Sequence, residues 1–461
     1  KIFTTGQKIE VIITKSMDET NLRNLSPLDG RYRDKTKESR EIFSEESLIN
    51  KRLTVELKWL KFFIKNFRKD LIKKSDFKKL DSLLKKLPKN LPLKVKEIEK
   101  TTNHDVKAVE LALGEKFKQK EFKNLIHIFL TSEDVNSFSY AIMMKEIQNA
   151  SQNWVQEVIS ILNKMRSKYA DLAMLSKTHG QPASPTTLGK EINVFKTRLE
   201  REIKTMKQLQ ARAKWGGATG NYNVHQLVFK KNWVTISRKF LKESEVELCE
   251  VSTQIEPHDF MAEQFNSMQR ISNILLDLSR DIWTYISMDY FKLKVLKSEV
   301  GSSTMPHKVN PIDFENAEGN LGLSNALFSH LSEKLPISRL QRDLSDSTVL
   351  RSIGSAYGYF ELSVNSLLKG LNKLEANRAI IGKELDGKYE ILTEAIQTFL
   401  RLEGVVEPYE KVKKISRGNA MDKETYLKII DELVVDKSHK KTLKNLTPQT
   451  YVGIAEELAK L

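Results

Sequence analysis

Apolar residues recur at steps of three and four through most of this chain. Met268, Ile271, Leu275, Leu278, Ile282 and Tyr285 make the clearest seam, spaced like one face of a coiled coil. Ile192, Phe195, Leu199, Ile203, Met206, Leu209 and Ala213 form a second stripe. Trp154, Val158, Ile161, Met165 and Tyr169 form a third, and Phe360, Val364, Leu367 and Leu371 a fourth. Each is read as core packing. No run of alternating apolar and polar positions predicts a strand, so the expected class is mainly α. Stripes of this length need partners, and bundling long helices is the economical solution. Lys86 to Leu93 (KLPKNLPL) breaks the early helical pattern. Three parts are expected: an N-terminal helical domain over 1–120, a central long-helix bundle over 121–371, and a C-terminal helical domain over 372–461.

Composition narrows this picture. The 461 residues contain only 19 glycines and 11 prolines, so long uninterrupted elements are expected, and 40% hydrophobic content permits a sizeable core. The single cysteine, Cys249, excludes an intramolecular disulfide and fits a reducing, cytoplasmic setting; it is read as an inert core thiol. No apolar run approaches the ~20 residues that span a membrane. Residues 1–16 are read as a tag or extension, with Met17 as the natural start. Lysine plus arginine (76) exceeds aspartate plus glutamate (60), giving +16. The excess is spread without interleaved stacking aromatics, so a solvated surface is expected rather than a nucleic-acid groove. A positive field of this kind still attracts anionic small molecules.

Several segments fit no apolar period. Residues 301–311, GSSTMPHKVNP, carry Gly301, Pro306 and Pro311 around two hydroxyls, an imidazole, an ammonium and an amide. They read as a loop whose N–H groups and Lys308 suit an anion. In Thr178-His179-Gly180-Gln181-Pro182-Ala183, Gly180 and Pro182 leave His179 at a helix break; alone, such a histidine is more often structural than acidic. Asn103-His104-Asp105 is a third polar cluster. Thr131-Ser132-Glu133-Asp134 reads as a helix start with hydroxyl caps and first-turn acids, a terminus that also suits a phosphate. The histidines at 104, 179, 258 and 307 lack metal-ligand spacing, and no Gly-rich nucleotide loop is present.

The 301–311 loop closely resembles the catalytic loop of the fumarase/aspartase superfamily, whose members eliminate fumarate. Within it, the chain is similar to the adenylosuccinate lyase family, enterobacterial-type subgroup, over roughly Ser26 to Leu461. The resemblance rests on SPLDGRY (26–32), TTNHDVKAVE (101–110), TQIEPHD (253–259), DFEN (313–316) and QRDLSDSTVLR (341–351), and on Pro306-His307-Lys308 within the loop. It implies a three-domain fold whose central bundle assembles into a homotetramer, with each active site drawn from three subunits. It also implies a carbon–nitrogen lyase of purine nucleotide biosynthesis, acting on adenylosuccinate and on the succinyl-carboxamide ribotide SAICAR. The products are AMP, AICAR and fumarate, with no cofactor, metal, nucleic acid or membrane partner.

Roles follow by the same resemblance. Ser302 is the general base and His179 the general acid. Lys308 stabilises the base and holds a carboxylate, Glu315 orients His179, and His104 assists the acid or lies near the phosphate. Arg31, Tyr32, Arg342, Ser347, Thr348, Val349, Leu350 and Arg351 resemble nucleotide-binding positions. Thr131, Ser132, Gln254, Ser303, Asn310 and Asn316 resemble groups near the succinyl moiety, and Asn103, Asp105 and Val309 complete the substrate-binding set. Arg339 is left unassigned.

Overall fold

A computed structural model describes residues 23–294, 305, 307–416 and 421–461. Five long helices form its central bundle: α1 (Ser132–Lys168), α2 (Leu188–Met206), α3 (Asp259–Ser287), α4 (Ile312–Lys334) and α5 (Ile353–Lys373). Packing runs α1 on α2, α2 on α3, α3 on α4, α4 on α5 and α5 back on α1. The apolar stripes are the faces that meet. Met268, Ile271, Leu275 and Leu278 in α3, and Phe360, Val364, Leu367 and Leu371 in α5, are buried. Burial of so many large side chains, each contributing ~1.5–3 kcal/mol, sets the bundle.

The second stripe overshoots its helix. α2 stops at Met206, and Arg212–Ala213 instead pairs in parallel with Glu247–Leu248. The break at 86–93 is real: one helix ends at Lys85 and the next begins at Leu91, with Pro92 in its first turn. The class is mainly α, as expected, and the three strand pairs among the described residues are all two-stranded. One of them changes the reading of a motif. Residues 173–187 form an antiparallel hairpin, β1 (Ala173–Thr178) and β2 (Gln181–Thr187), where the sequence suggested only a helix break.

Buried side chains from Ile42 to Ile381 form one continuous core, so the helices before residue 126 pack directly on the bundle. A second core gathers Leu385 to Leu443 and takes in Leu175 from β1. No helix among the described residues is long and apolar enough to cross a membrane. Cys249 is half-buried, and burial pushes its thiol up to about 11, the behaviour of an inert side chain.

Candidate active site

The candidate residues fall into three places, and the lengths of α1 and α3 show how far the first lies from the other two. The first place is the N-terminal end of α1. Thr131 precedes the helix in an extended conformation, and its N–H donates to Asp134 Oδ2 at 2.8 Å. The helix start is as the sequence suggested, but its acids are not solvated. Asp134 is fully buried against the Lys214 ammonium at 2.7 Å and also accepts the Gly216 N–H. This pair anchors the loop of residues 214–220, whose Ala218 carbonyl accepts from Gln254. Gly217 and Gly220 there have φ of +75° and +79°, and a Cβ on Gly220 would lie 2.4 Å from the Ser252 carbonyl.

Glu133, the other first-turn acid, receives Arg342 at 2.9 Å. Arg342 also donates to Gln254 Oε1 at 3.3 Å and lies 3.9 Å from Asp346. Behind it, Asp346 faces His258 Nε2 at 3.5 Å, and His258 sits 3.6 Å from Glu256. His258, Glu256 and Asp346 are all buried. Burial pushes Glu256 up to about 7 despite the opposing pull of His258. Burial also works on Asp346, but the hydrogen bonds from His258 and the Ser347 N–H outweigh it and hold that carboxyl low.

The cluster at 103–105 joins the same place. Asn103 ends the helix Leu91–Thr102 in a left-handed conformation, and His104 begins Asp105–Gly114. His104 Nδ1 accepts the Lys107 N–H at 3.1 Å, so in the neutral ring the proton sits on Nε2 of this exposed side chain. Asp105 Oδ2 meets Arg351 at 3.4 Å and Arg52 at 2.9 Å. Burial opposes its charge, but Arg52, the Val106 N–H and Arg351 prevail and lower its pKa. Ser347, Thr348, Val349 and Leu350 lie in the short helix Ser345–Leu350, just before Arg351. Arg351 also lines a cavity of ≈ 290 Å³ with Ser26, Leu28 and Asp29 of the first motif. Arg31, in the same motif as Ser26 and Leu28, lies 5.9 Å over the neighbouring Tyr32 ring.

The second place is the tip of the β1–β2 hairpin. His179 and Gly180 form its two-residue turn, with φ of 53° and 73°, the pair of positive values that a type I′ turn requires. The hairpin is held on the C-terminal helices by Lys177 to Glu384 (2.6 Å) and Ser184 to Glu394 (2.6 Å), which leaves His179 exposed at the end. The hairpin begins after the far end of α1. A 37-residue helix is roughly 55 Å long, and a six-residue strand reaches back at most about 20 Å. Adding residues 169–172 and His179, the eleven residues after Lys168 reach back at most about 37 Å, so within one chain His179 is at least about 18 Å from Thr131.

The third place is the start of α4. Lys308 donates its N–H to the Met305 carbonyl, and the side chains of Lys308 and Val309 are exposed, with Asn310 half-buried. Glu315 accepts the Trp283 indole N–H at 3.1 Å, and Asn316 accepts from Ser366 at 2.7 Å. Trp283 lies ~36 Å along α3 from its His258 end. Ser302 and Ser303 lie outside the described residues. Among the described residues, no group of three or more His, Cys, Asp or Glu side chains is arranged to hold a metal ion.

Sequence reasoning missed Arg52, Asn136, Asp346 and Lys214 as parts of the first place. Asp346 lay inside a quoted motif and carried a signal. Arg52 and Lys214 look like any other basic residue of a lysine-rich chain.

Comparison with known proteins agrees with this architecture. A family model described as "Lyase" matches residues 30–323, and one described as "Adenylosuccinate lyase C-terminal" matches 338–452. Two solved structures share the fold. One is a fumarate lyase from Mesorhizobium, with TM-score 0.75, 16% identity and coverage of 92% of this chain and 96% of that one. The other is a 3-carboxy-cis,cis-muconate lactonizing enzyme from Pseudomonas putida, with TM-score 0.74, 18% identity and coverage of 91% and 95%. Fold and family model together define a lyase of the fumarase/aspartase superfamily. Adenylosuccinate lyases from Vibrio cholerae (45% identical), Buchnera aphidicola of Schizaphis graminum (44%) and Escherichia coli (42%) match over 95–96% of this chain and 98–99% of their own lengths. The chain belongs to the adenylosuccinate lyase family.

Proposed function

We propose that this protein eliminates fumarate from adenylosuccinate to give AMP, and from SAICAR to give AICAR, at sites shared between the chains of a homotetramer in the cytoplasm. The observation that carries the shared-site reading is the separation, along α1 and α3, of the Arg342 group from the hairpin and from the start of α4. Motifs tens of ångströms apart in one chain converge only if other chains supply the missing parts.

The chemistry needs a base, an acid and cations. The Ser302 alkoxide takes the proton from the carbon beside a substrate carboxylate. The electron pair left behind becomes the double bond of fumarate as the carbon–nitrogen bond breaks, and His179 gives its proton to the departing nitrogen. Lys308 and the N–H groups near it stabilise the alkoxide and the dianionic intermediate, and Glu315 of another chain orients His179. Arg342 and Arg351 face the nucleotide end with His104, whose Nε2–H is available to the phosphate.

The test is an absorbance assay with adenylosuccinate, SAICAR and argininosuccinate, run on the wild type and on Ser302→Ala. The wild type should convert the first two without added metal, while Ser302→Ala should lose ~10²–10⁴-fold in kcat yet still bind AMP. Turnover of argininosuccinate alone would overturn the substrate assignment, and near-normal turnover by Ser302→Ala would overturn the base.

A further inference from the structure

Arg52 belongs to none of the quoted motifs and comes from the helix Glu45–Phe67, well before the bundle. It is only 4% exposed. A buried guanidinium is costly unless its donors are met, and here two of them are met by two different segments. Nη1 reaches Asp105 Oδ2 at 2.9 Å, and Nε reaches Asn136 Oδ1 at 2.9 Å. Each partner continues into the nucleotide end. Asp105 also holds Arg351 at 3.4 Å, and Asn136 donates at 2.7 Å to Glu133, which holds Arg342 at 2.9 Å. One fork thus ties the segment of His104 to the first turn of α1, and both to the two arginines.

The geometry points to Arg52 as a positioning residue for the nucleotide half of the substrate; this inference rests on the proposed lyase reaction. It acts in two ways. It fixes the spacing between residues 103–105 and 131–136, because a planar fork sets both hydrogen bonds at once. It also satisfies most of the Asp105 charge at 2.9 Å, leaving Arg351, about half exposed and at the longer 3.4 Å, available to an incoming phosphate. Without Arg52, Asp105 has Arg351 as its remaining cation and draws it away from the ligand. Lysine keeps the charge but cannot serve Asp105 and Asn136 in the same planar geometry, so it should restore only part of the effect.

The distinguishing measurement is inhibition by the two products, AMP and fumarate, of wild type, Arg52→Lys, Arg52→Met and the pair Arg52→Met with Asp105→Asn. AMP carries the phosphate and fumarate does not. Arg52→Met should weaken AMP inhibition about tenfold or more, as expected when charge-assisted hydrogen bonds that preorganise a site are lost. Fumarate inhibition should change little, and KM should rise more than kcat falls. Arg52→Lys should lie between wild type and Arg52→Met, and Asp105→Asn in the double variant should recover part of the loss by releasing Arg351. If Arg52→Met does not fold, the charge-conserving Arg52→Lys decides alone: a several-fold loss for AMP supports the role. Unchanged AMP inhibition in a folded variant, or equal loss for AMP and fumarate, overturns it. A wild type that neither cleaves adenylosuccinate nor binds AMP would overturn the lyase reading and this inference with it. An active wild type beside unaffected variants overturns this inference alone.

Discussion

Glu256 shows how one buried carboxyl writes itself into stability. Its folded pKa is raised to about 7 from an ordinary 4.5 because burial disfavours the charge, while its Oε2 accepts the His258 N–H at 2.7 Å. A group whose pKa is raised on folding holds its proton more tightly in the native state. Its stabilising contribution is complete below about 4.5 and disappears as pH rises through 7. Glu256→Gln removes this titration and keeps an acceptor for His258. The Tm of the variant relative to wild type should therefore climb from pH 5 to pH 8, by an amount worth at most ~3 kcal/mol. A difference that stays flat over that range would mean that Glu256 does not titrate there. At this scale the sequence was only partly legible. His104, Asp105, Arg342 and Arg351 were readable because each stands inside a motif of unusual polar density. Arg52, which contacts two of those segments, was not, because one arginine among 76 basic residues carries no local mark.

At the scale of elements, spacing identified the bundle helices because alternate steps of three and four leave no other face to bury, as Met268 to Ile282 do in α3. Spacing failed where apolar residues continued the count by chance. Leu209 and Ala213 extended the stripe of α2 beyond its end at Met206. It also failed at the hairpin, where Pro182 and Pro185 obscure alternation and only the last part of β2 is buried. Gly180 sits in that turn at φ +73° with nothing within 4 Å of an added Cβ, so a methyl group there meets only backbone strain. Gly180→Ala should cost ~1–2 kcal/mol locally and displace His179, lowering kcat by roughly tenfold while the main thermal transition stays put. The check is kcat beside a melting curve. Unchanged kcat would show that the turn geometry does not set the position of His179.

For the whole molecule, the separation of the Arg342 group from the other two places is the central observation. The ends of α1 and α3 hold the Arg342 group at one extreme and the hairpin and Glu315 far from it. Sequence alone named His104, Arg342, His179 and Glu315 in these groups but could not give their distances, since motifs separated by tens to hundreds of positions have no local constraint between them. Helix length supplies that scale between the Arg342 group and the other two places. In the proposed homotetramer, rotation of identical chains would complete these places, each chain giving a different part to a given site.

Subunit mixing tests this most directly. Ser302→Ala and His179→Ala tetramers each lack one essential group at every site and should be inactive. They are dissociated, combined in equal amounts and reassembled, and hybrids are confirmed by mass. With Ser302 and His179 drawn from different chains and random assembly, about a quarter of the sites regain both groups, so activity should return to about a quarter of wild type. Confirmed hybrids as inactive as their parents would place both residues in one chain and contradict the shared site.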